Sequence, residues 1–302
     1  MLGVTMDRIC LNTVGGAVVL LMGAAWVSAH EGVDELAEQL TRQIAQRPDD
    51  VALYIRRGDL MRDHGHWDAA LADFERAAAR EPDHPQLDYL RARTLQEAGW
   101  FQAALVLIDR HLLRFADDGP AHLVRARALT GGKDYLEAAP VYRNALERLE
   151  RPQPDHYLEC ADALTAAGDD HVAEAVQCLD QGIERLGPIV TLQRRAIELE
   201  ARLGRYDQAL RRIDAVMNTM HRKETWLAFR GRILDQADRP DEARAAYEAS
   251  RVAIESLADR HRKVALTQAL EEQVRSALAR LDAQRGGAAS HTVDLNLAKE
   301  RE

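Results

Sequence analysis

The chain has 302 residues, of which 29% are charged and 46% are hydrophobic, and this composition is typical of an ordered protein rather than a disordered one. Its formal net charge of −9 argues against a general nucleic-acid binder, because phosphate contacts require a basic surface. The length is enough for one or two ordinary domains or for one elongated array of repeats.

The first 29 residues differ in composition from the rest of the chain. After Arg8, the apolar run VGGAVVLLMGAAWV extends from Val14 to Val27, and Val27-Ser28-Ala29 offers small residues that suit signal-peptidase cleavage. About 14 apolar residues fit a signal peptide better than a membrane span, which needs about 20. We therefore predict a cleaved signal peptide over residues 1–29 and a periplasmic or secreted protein. The alternative is an uncleaved segment that anchors the chain facing the periplasm.

Residues 30–50 are predicted to form an N-terminal capping helix, because apolar residues recur there every three or four positions. These residues are Val33, Leu36, Leu40 and Ile44. The sequence Arg47-Pro48-Asp49-Asp50 ends this helix and provides caps for the next one.

A period of 34 residues then runs through most of the chain. Four columns of similar residues follow it: Gly58, Ala92 and Ala126; Met61, Leu95 and Leu129; Ala70, Ala104 and Ala138; and Phe74, Ile108 and Tyr142. Small and large residues at fixed places in such a period are typical of stacked helix pairs, in which small residues allow close approach and large ones fill the space between units. We predict six repeats over residues 51–256, with a lengthened turn at Asp169–His171 and a loosened first turn around Pro140.

The pattern changes after Leu257. A helical stripe of apolar residues predicts a C-terminal capping helix over residues 257–285, which covers the last apolar face of the array. The stripe consists of Val264, Leu270, Val274, Leu278 and Leu281. Gly286-Gly287 is expected to end this helix, and residues 286–302, which lack periodicity, are expected to be disordered.

The repeats resemble the tetratricopeptide repeat family. The first repeat matches best, through Tyr54, Gly58, Ala70, Phe74, Ala77 and Pro82, and the sixth matches through Gly231, Ala243 and Tyr247. The resemblance implies an all-α fold, a right-handed superhelical solenoid of antiparallel helix pairs, with a concave groove lined by the first helix of each pair. It also implies a protein that binds other proteins or peptides in that groove and is not an enzyme.

Arginines recur in the first helices as Arg-x-Arg pairs. By the geometry of the family, the second member of each pair and the region of Arg56 should face the groove, and the first member should lie nearer the seam between helices. The pairs are Arg91/Arg93, Arg125/Arg127 and Arg230/Arg232. A row of Arg93, Arg127 and Arg232 would suit an acidic peptide. The alternative is that the arginines pair with Asp59, Asp88 or Glu97 and hold neighbouring repeats in register.

Two aromatic residues, Tyr89 and Phe229, are candidate anchors in the same groove, although both could equally be core residues. Cys160 and Cys178 fall in one predicted helix pair and are a disulfide candidate, because an exported protein meets an oxidising compartment. The alternative is two separate small core residues.

The sequence contains no catalytic constellation, cofactor motif or metal-binding pattern that we assign. His64 and His66 flank a turn without a completing ligand, and a chain cleaved before His30 could at most chelate copper through its terminal amine. The sequence therefore predicts a non-catalytic scaffold that binds a partner protein or extended peptide in assembly or maturation of envelope proteins. The alternatives are a structural, self-oligomerising envelope protein and a metal carrier.

Overall fold

The computed structural model describes residues 34–299, and side chains up to residue 285. The described residues are helical and contain no strand. The first helix, α1, spans residues 34–46. The others are α2 (Val51–Asp63), α3 (Trp67–Arg80), α4 (Leu87–Glu97), α5 (Phe101–Arg114), α6 (Gly119–Gly131), α7 (Tyr135–Arg148), α8 (Pro154–Ala167), a 3-10 turn (Asp169–His171), α9 (Val172–Leu186), α10 (Val190–Arg202), α11 (Tyr206–Thr219), α12 (Glu224–Gln236), α13 (Pro240–Glu255), α14 (Asp259–Arg262) and α15 (Ala265–Lys299).

The chain divides into two compact units, Met1–Lys133 and Asp134–Glu302, which we call unit 1 and unit 2. In unit 1, α2 packs on α3 and α4 packs on α5, and α6 follows as the first helix of the next pair. In unit 2, the pairs are α8 with α9, α10 with α11 and α12 with α13, and α15 packs against the last of them. The predicted all-α fold of helix pairs is therefore confirmed, while the superhelical handedness stays a prediction.

Close approach of paired helices depends on small residues facing aromatic rings. A Cβ atom at Gly58 of α2 would lie 2.6 Å from Cε1 of Phe74 on α3. The same arrangement recurs in unit 2, where a Cβ atom at Gly231 of α12 would lie 2.8 Å from the ring of Tyr247 on α13. In both pairs the absence of a side chain allows an aromatic ring to lie directly on the neighbouring helix.

The second column of small residues in the repeat is buried in every copy. Its members have no exposed surface: Ala70, Ala104, Ala138, Ala175, Ala209 and Ala243. Larger side chains between the pairs, such as Ile197, Ile213 and Ile233, complete the core of unit 2. The distribution of small and large residues predicted from the 34-residue period is therefore the one observed.

The turn between the two helices of a pair requires a left-handed residue. Gly99 supplies it with φ of 83°, and Asp238 occupies the corresponding place in the last pair with φ of 54°. Residues other than glycine rarely adopt this conformation, because Cβ approaches the following carbonyl oxygen. The Asp238 backbone is therefore held in place by the packing of α12 on α13.

His111, which replaces a small residue of the repeat pattern, has a structural role. It is buried, and its Nε2 lies 2.8 Å from Oδ2 of Asp118. The other oxygen of Asp118 accepts a hydrogen bond of 3.0 Å from the amide of Ala121 and so caps the N-terminus of α6. The substitution thus links the end of one helix pair to the beginning of the next.

Of three local expectations, the lengthened turn is confirmed, the loosening around Pro140 stays a prediction, and the single C-terminal helix is wrong. The lengthened turn of the fourth repeat is the 3-10 turn Asp169–His171, and α7 continues through Pro140 with the proline in its interior. At the C-terminus, the single helix expected over residues 257–285 is split into α14 and α15. Buried Val274, Leu278 and Leu281 confirm that α15 covers the apolar face of the last pair.

The end of α15 also differs from the expectation. Gly286-Gly287 does not end the helix, whose backbone continues to Lys299, so the prediction of disorder is wrong for residues 286–299. Each glycine in a helix costs about 1 kcal/mol relative to alanine, which is less than the cost of a proline and does not by itself end a helix. Residues 1–33 and 300–302, with the predicted signal peptide, lie outside the described residues. Between residues 34 and 299, no helix is long and apolar enough to cross a membrane.

Candidate functional site

In unit 1, the predicted groove residues are engaged with other groups of the same unit. Nε of Arg93 donates to Oε1 of Glu97 over 3.0 Å, and the same carboxylate accepts from Arg62 over 3.1 Å. Tyr89 is half-buried, its ring centroid lies 5.8 Å from that of His111, and burial raises its pKa. Arg93 and Tyr89 therefore contribute to the packing and charge balance of unit 1.

The other two predicted residues of unit 1 differ in exposure. Arg56 is exposed on α2, and Arg127 is half-buried on α6 and interacts with other groups of the chain. Together with the Arg93–Glu97 pair, these positions do not form a row of uncompensated arginines.

The first members of the Arg-x-Arg pairs lie at the seams between successive helix pairs, as expected. Each forms an ion pair with an acidic residue sixteen positions earlier, on the second helix of the preceding pair. The pairs are Arg91 with Glu75, Arg125 with Asp109 and Arg230 with Asp214. The partners differ from the acids named from the sequence, and a role of these ion pairs in holding neighbouring helix pairs in register stays a prediction.

In unit 2, two arginines lie over one aromatic ring. Phe229 of α12 is largely buried, and the guanidinium of Arg232, one turn later, lies 4.6 Å from the ring centroid. The guanidinium of Arg194, on α10, lies 6.0 Å from the same centroid. Contacts of this kind orient a guanidinium and contribute about 0.5–1 kcal/mol at exposed sites. The ring of Phe229 therefore brings arginines from two helices to one place.

These arginines share a single carboxylate. Glu198 of α10 lies 3.4 Å from Arg194 and 3.8 Å from Arg232, and it also lies 3.7 Å from Arg195. Arg195 has a second partner in Asp162 at 2.7 Å. One carboxylate cannot neutralise two guanidiniums, so the surface around Phe229 keeps an excess of positive charge in a protein whose net charge is −9.

A cleft surrounds this ring, and we call it the basic arm. Its residues lie on α10, α12 and α15, which are the first helices of successive pairs and the capping helix: Arg194, Thr225, Trp226, Ala228, Phe229, Arg232, Leu270 and Gln273. Its volume is about 90 Å³, roughly that of three water molecules. The basic arm is therefore small and offers guanidinium donors above an apolar floor.

A larger cleft adjoins it, and we call this the apolar arm. It encloses about 470 Å³, within the size range of ligand clefts. Exposed or half-buried apolar side chains line it, namely Val190, Met220, Val264, Leu266 and Leu270, beside the Arg222–Glu224 ion pair. The two arms share Arg194, Thr225, Trp226 and Leu270, so they form one continuous groove.

Residues 61–128 match the family model described as Tetratricopeptide repeat. The helix pairs, the 34-residue period and the Gly58–Phe74 and Gly231–Tyr247 contacts extend the same architecture on both sides of that segment. This segment belongs to the tetratricopeptide repeat family.

Solved structures similar to this chain share little sequence identity with it. One is a tetratricopeptide repeat protein from Parabacteroides merdae, with 16% identity and a TM-score of 0.49, covering 86% of this chain and 100% of that one. MamA from Desulfovibrio magneticus has 15% identity and a TM-score of 0.46 over 56% of this chain and 95% of that one. YrrB, a TPR protein with an unusual peptide-binding site, has 14% identity and a TM-score of 0.42 over 73% and 94%. No curated protein matches the chain.

Sequence reasoning identified Phe229 and Arg232 but missed Arg194 and the apolar arm. Arg194-Arg195 precedes the small residue Ala196 much as Phe229-Arg230 precedes Gly231, so alignment of the small column would have placed Arg194 beside Phe229. The apolar arm has no such signal, because tertiary packing assembles it from the starts of α10, α12 and α15 and the end of α11.

The disulfide predicted between Cys160 and Cys178 is not formed in this structure. Cys160 of α8 and Cys178 of α9 are buried and carry free thiols. The Cys178 thiol donates to the carbonyl of Tyr157 over 3.9 Å. A hydrogen bond with Cys178, together with burial, raises the pKa of Cys160, so the two thiols lie against each other and Cys160 stays protonated. Their oxidation to a disulfide stays a prediction.

Side chains that could bind a metal are scattered in the described part of the chain. Between residues 34 and 285, no three His, Cys, Asp or Glu side chains converge as they would around a metal ion. His30, the position considered for copper, lies outside the described residues.

Proposed function

We propose that this protein is a non-catalytic scaffold that holds an extended segment of a partner protein in the groove formed by the basic and apolar arms of unit 2. One observation carries the proposal. Arg194 and Arg232, which are incompletely neutralised, line the same groove as several exposed apolar side chains.

The apolar arm favours a protein partner. The side chain of Leu266 is 82% exposed, and Val190 and Val264 are also exposed beside it. Burying apolar surface contributes about 25 cal/mol per Å², so a partner side chain in this arm would gain affinity from each of these contacts. A cleft lined by several helices, in place of a deep pocket, suits an extended segment better than a compact small molecule.

The proposed setting is the bacterial envelope, where the protein would take part in assembly or maturation of exported proteins. The apolar run from Val14 to Val27 and the small residues that follow it support export. Nucleic acid is not proposed as a partner, because the net charge of −9 opposes phosphate binding.

A crosslinked pull-down from envelope extract tests this proposal. It compares the unaltered chain with Leu266→Glu in the apolar arm and with Leu113→Glu as the matched control. Leu113 is 88% exposed on α5 of unit 1 and does not line the groove, so both variants place a charge where leucine already meets water. We expect the unaltered chain and Leu113→Glu to retain the same partner and Leu266→Glu to lose it.

Equal capture by all three proteins would contradict the proposal. Recovery of only further copies of the chain itself would instead favour the self-associating alternative. Circular dichroism of each variant confirms that a lost partner does not reflect a lost fold.

A further inference from the structure

The basic arm contains cationic side chains that the protein itself leaves incompletely paired. The side chains of Arg194 and Arg232 are 60% and 41% exposed, and their contacts with Glu198 are 3.4 and 3.8 Å long. Charge-assisted hydrogen bonds between arginine and carboxylate are normally about 2.7–2.9 Å long. Most of the donors on both guanidiniums are therefore available to a ligand.

The positions of these donors are fixed by the aromatic ring below them. Stacking on Phe229, at 4.6 and 6.0 Å, holds guanidiniums from α12 and α10 above one patch of the floor. Because a planar guanidinium presents paired donors that match the two oxygens of a carboxylate, two of them over one ring form a site for a single anionic group.

The size of the basic arm restricts what that group can be. A volume of about 90 Å³ admits the carboxylate of an aspartate or glutamate side chain. The adjoining apolar arm, at about 470 Å³, has room for apolar side chains from the same segment.

We infer that the segment held in this groove places an Asp or Glu side chain on the exposed donors of Arg194 and Arg232, beside Glu198, and apolar side chains in the apolar arm. This inference rests on the proposed function and specifies the chemistry of its ligand. The shared lining residues Thr225, Trp226 and Leu270 connect the two subsites, so an acidic residue close in sequence to apolar residues can occupy both.

The experiment measures the binding of a positional-scanning library of dodecapeptides to the protein as isolated from the cell. One set of peptides is acetylated and amidated, and a second set has free C-terminal carboxylates. The protein variants are the Arg194→Gln/Arg232→Gln double variant, Leu266→Glu, and Arg93→Gln as the matched control. Arg93 also lies on the first helix of a pair, and its side chain is 38% exposed, but it belongs to unit 1.

We expect the amidated peptides to be selected for one Asp or Glu near two or more apolar residues. Replacing that acid with Asn or Gln, or using the double arginine variant, should weaken binding about tenfold or more, with the loss growing smaller as salt is raised. Arg93→Gln should bind as the unaltered chain does.

The outcomes separate this inference from the proposed function. In one outcome, Leu266→Glu abolishes peptide binding, but the peptides show no preference for an acidic residue and the double arginine variant has no effect. This outcome would overturn the inference and leave the proposed function standing. Binding by the free-carboxylate set alone would overturn the assignment to a side chain. Absence of any peptide binding, or binding indifferent to Leu266→Glu, would overturn the proposed function and this inference with it.

Discussion

The contact between Gly58 and Phe74 predicts that Gly58→Ala changes the stability of the protein in opposite directions, depending on the residue at position 74. In Gly58→Ala, the new methyl group would lie 2.6 Å from Cε1, 2.9 Å from Cζ and 3.0 Å from Cδ1 of Phe74. The ring is fully buried, so the overpacking should cost about 2 kcal/mol. The better helix propensity of alanine returns about 1 kcal/mol, which leaves a net destabilisation of about 1 kcal/mol.

The protein itself shows which partner accepts a methyl group at this position. One repeat later, Ala92 and Ile108 occupy the places of Gly58 and Phe74, and both are fully buried. In a Phe74→Ile background the aromatic atoms that meet the methyl group are absent. There Gly58→Ala should stabilise the protein by about 1 kcal/mol, so the two substitutions should show a coupling energy of about 2 kcal/mol.

Urea unfolding followed by circular dichroism measures all four proteins of this cycle. Ala92→Gly serves as the matched control and should destabilise by about 1 kcal/mol, because it removes helix propensity where no clash exists. Because stacked repeats can unfold in parts, the slopes of the transitions are compared before their midpoints. If Gly58→Ala has the same sign in both backgrounds, the proposed contact between the methyl group and the ring is wrong.

Three further predictions follow from single features of the structure. Asp238→Gly should stabilise the protein by about 1 kcal/mol in thermal unfolding, since it relieves a φ of 54°, and a destabilised variant would contradict this. Asp73→Ala should lower the free energy of unfolding in urea by about 3 kcal/mol, because Arg57 loses its buried partner. Arg57 donates to Asp73 over 2.6 and 2.7 Å. A loss below about 1 kcal/mol would refute that role. The Cys160 thiol should not react with a thiol reagent until the chain unfolds, and fast labelling of the folded protein would contradict its burial and raised pKa.

The sequence predicted the helix pairs because a repeat must use the same few contacts many times. Each copy places a small residue opposite a large one, as Gly58 opposes Phe74, so the constraint recurs visibly every 34 residues. Ion pairing by the first arginine of each Arg-x-Arg pair was also one of the two alternatives that the sequence indicated. Its acidic partner was not predictable, because Arg91 reaches Glu75 only through the geometry of α4 against α3.

The candidate site was only partly predictable, because it does not repeat. Phe229 and Arg232 stand in a recognisable column, but Arg194 lies on another helix and meets them only when α10 packs beside α12. The apolar arm depends on Leu266, which follows the break between α14 and α15, and the sequence pattern predicted one continuous helix there. Local periodicity carries no information about such a junction between elements.

Site-specific photocrosslinking in the cells that make the protein tests most directly whether a partner occupies this groove. A photoreactive residue replaces Gln273, which is exposed in the basic arm, or Val252, which is exposed on α13 and does not line the groove. The account predicts a crosslink to a distinct partner protein from position 273 and none from position 252. Equal crosslinking at both positions, or crosslinking from position 252 alone, would show that the groove of unit 2 is not the binding site.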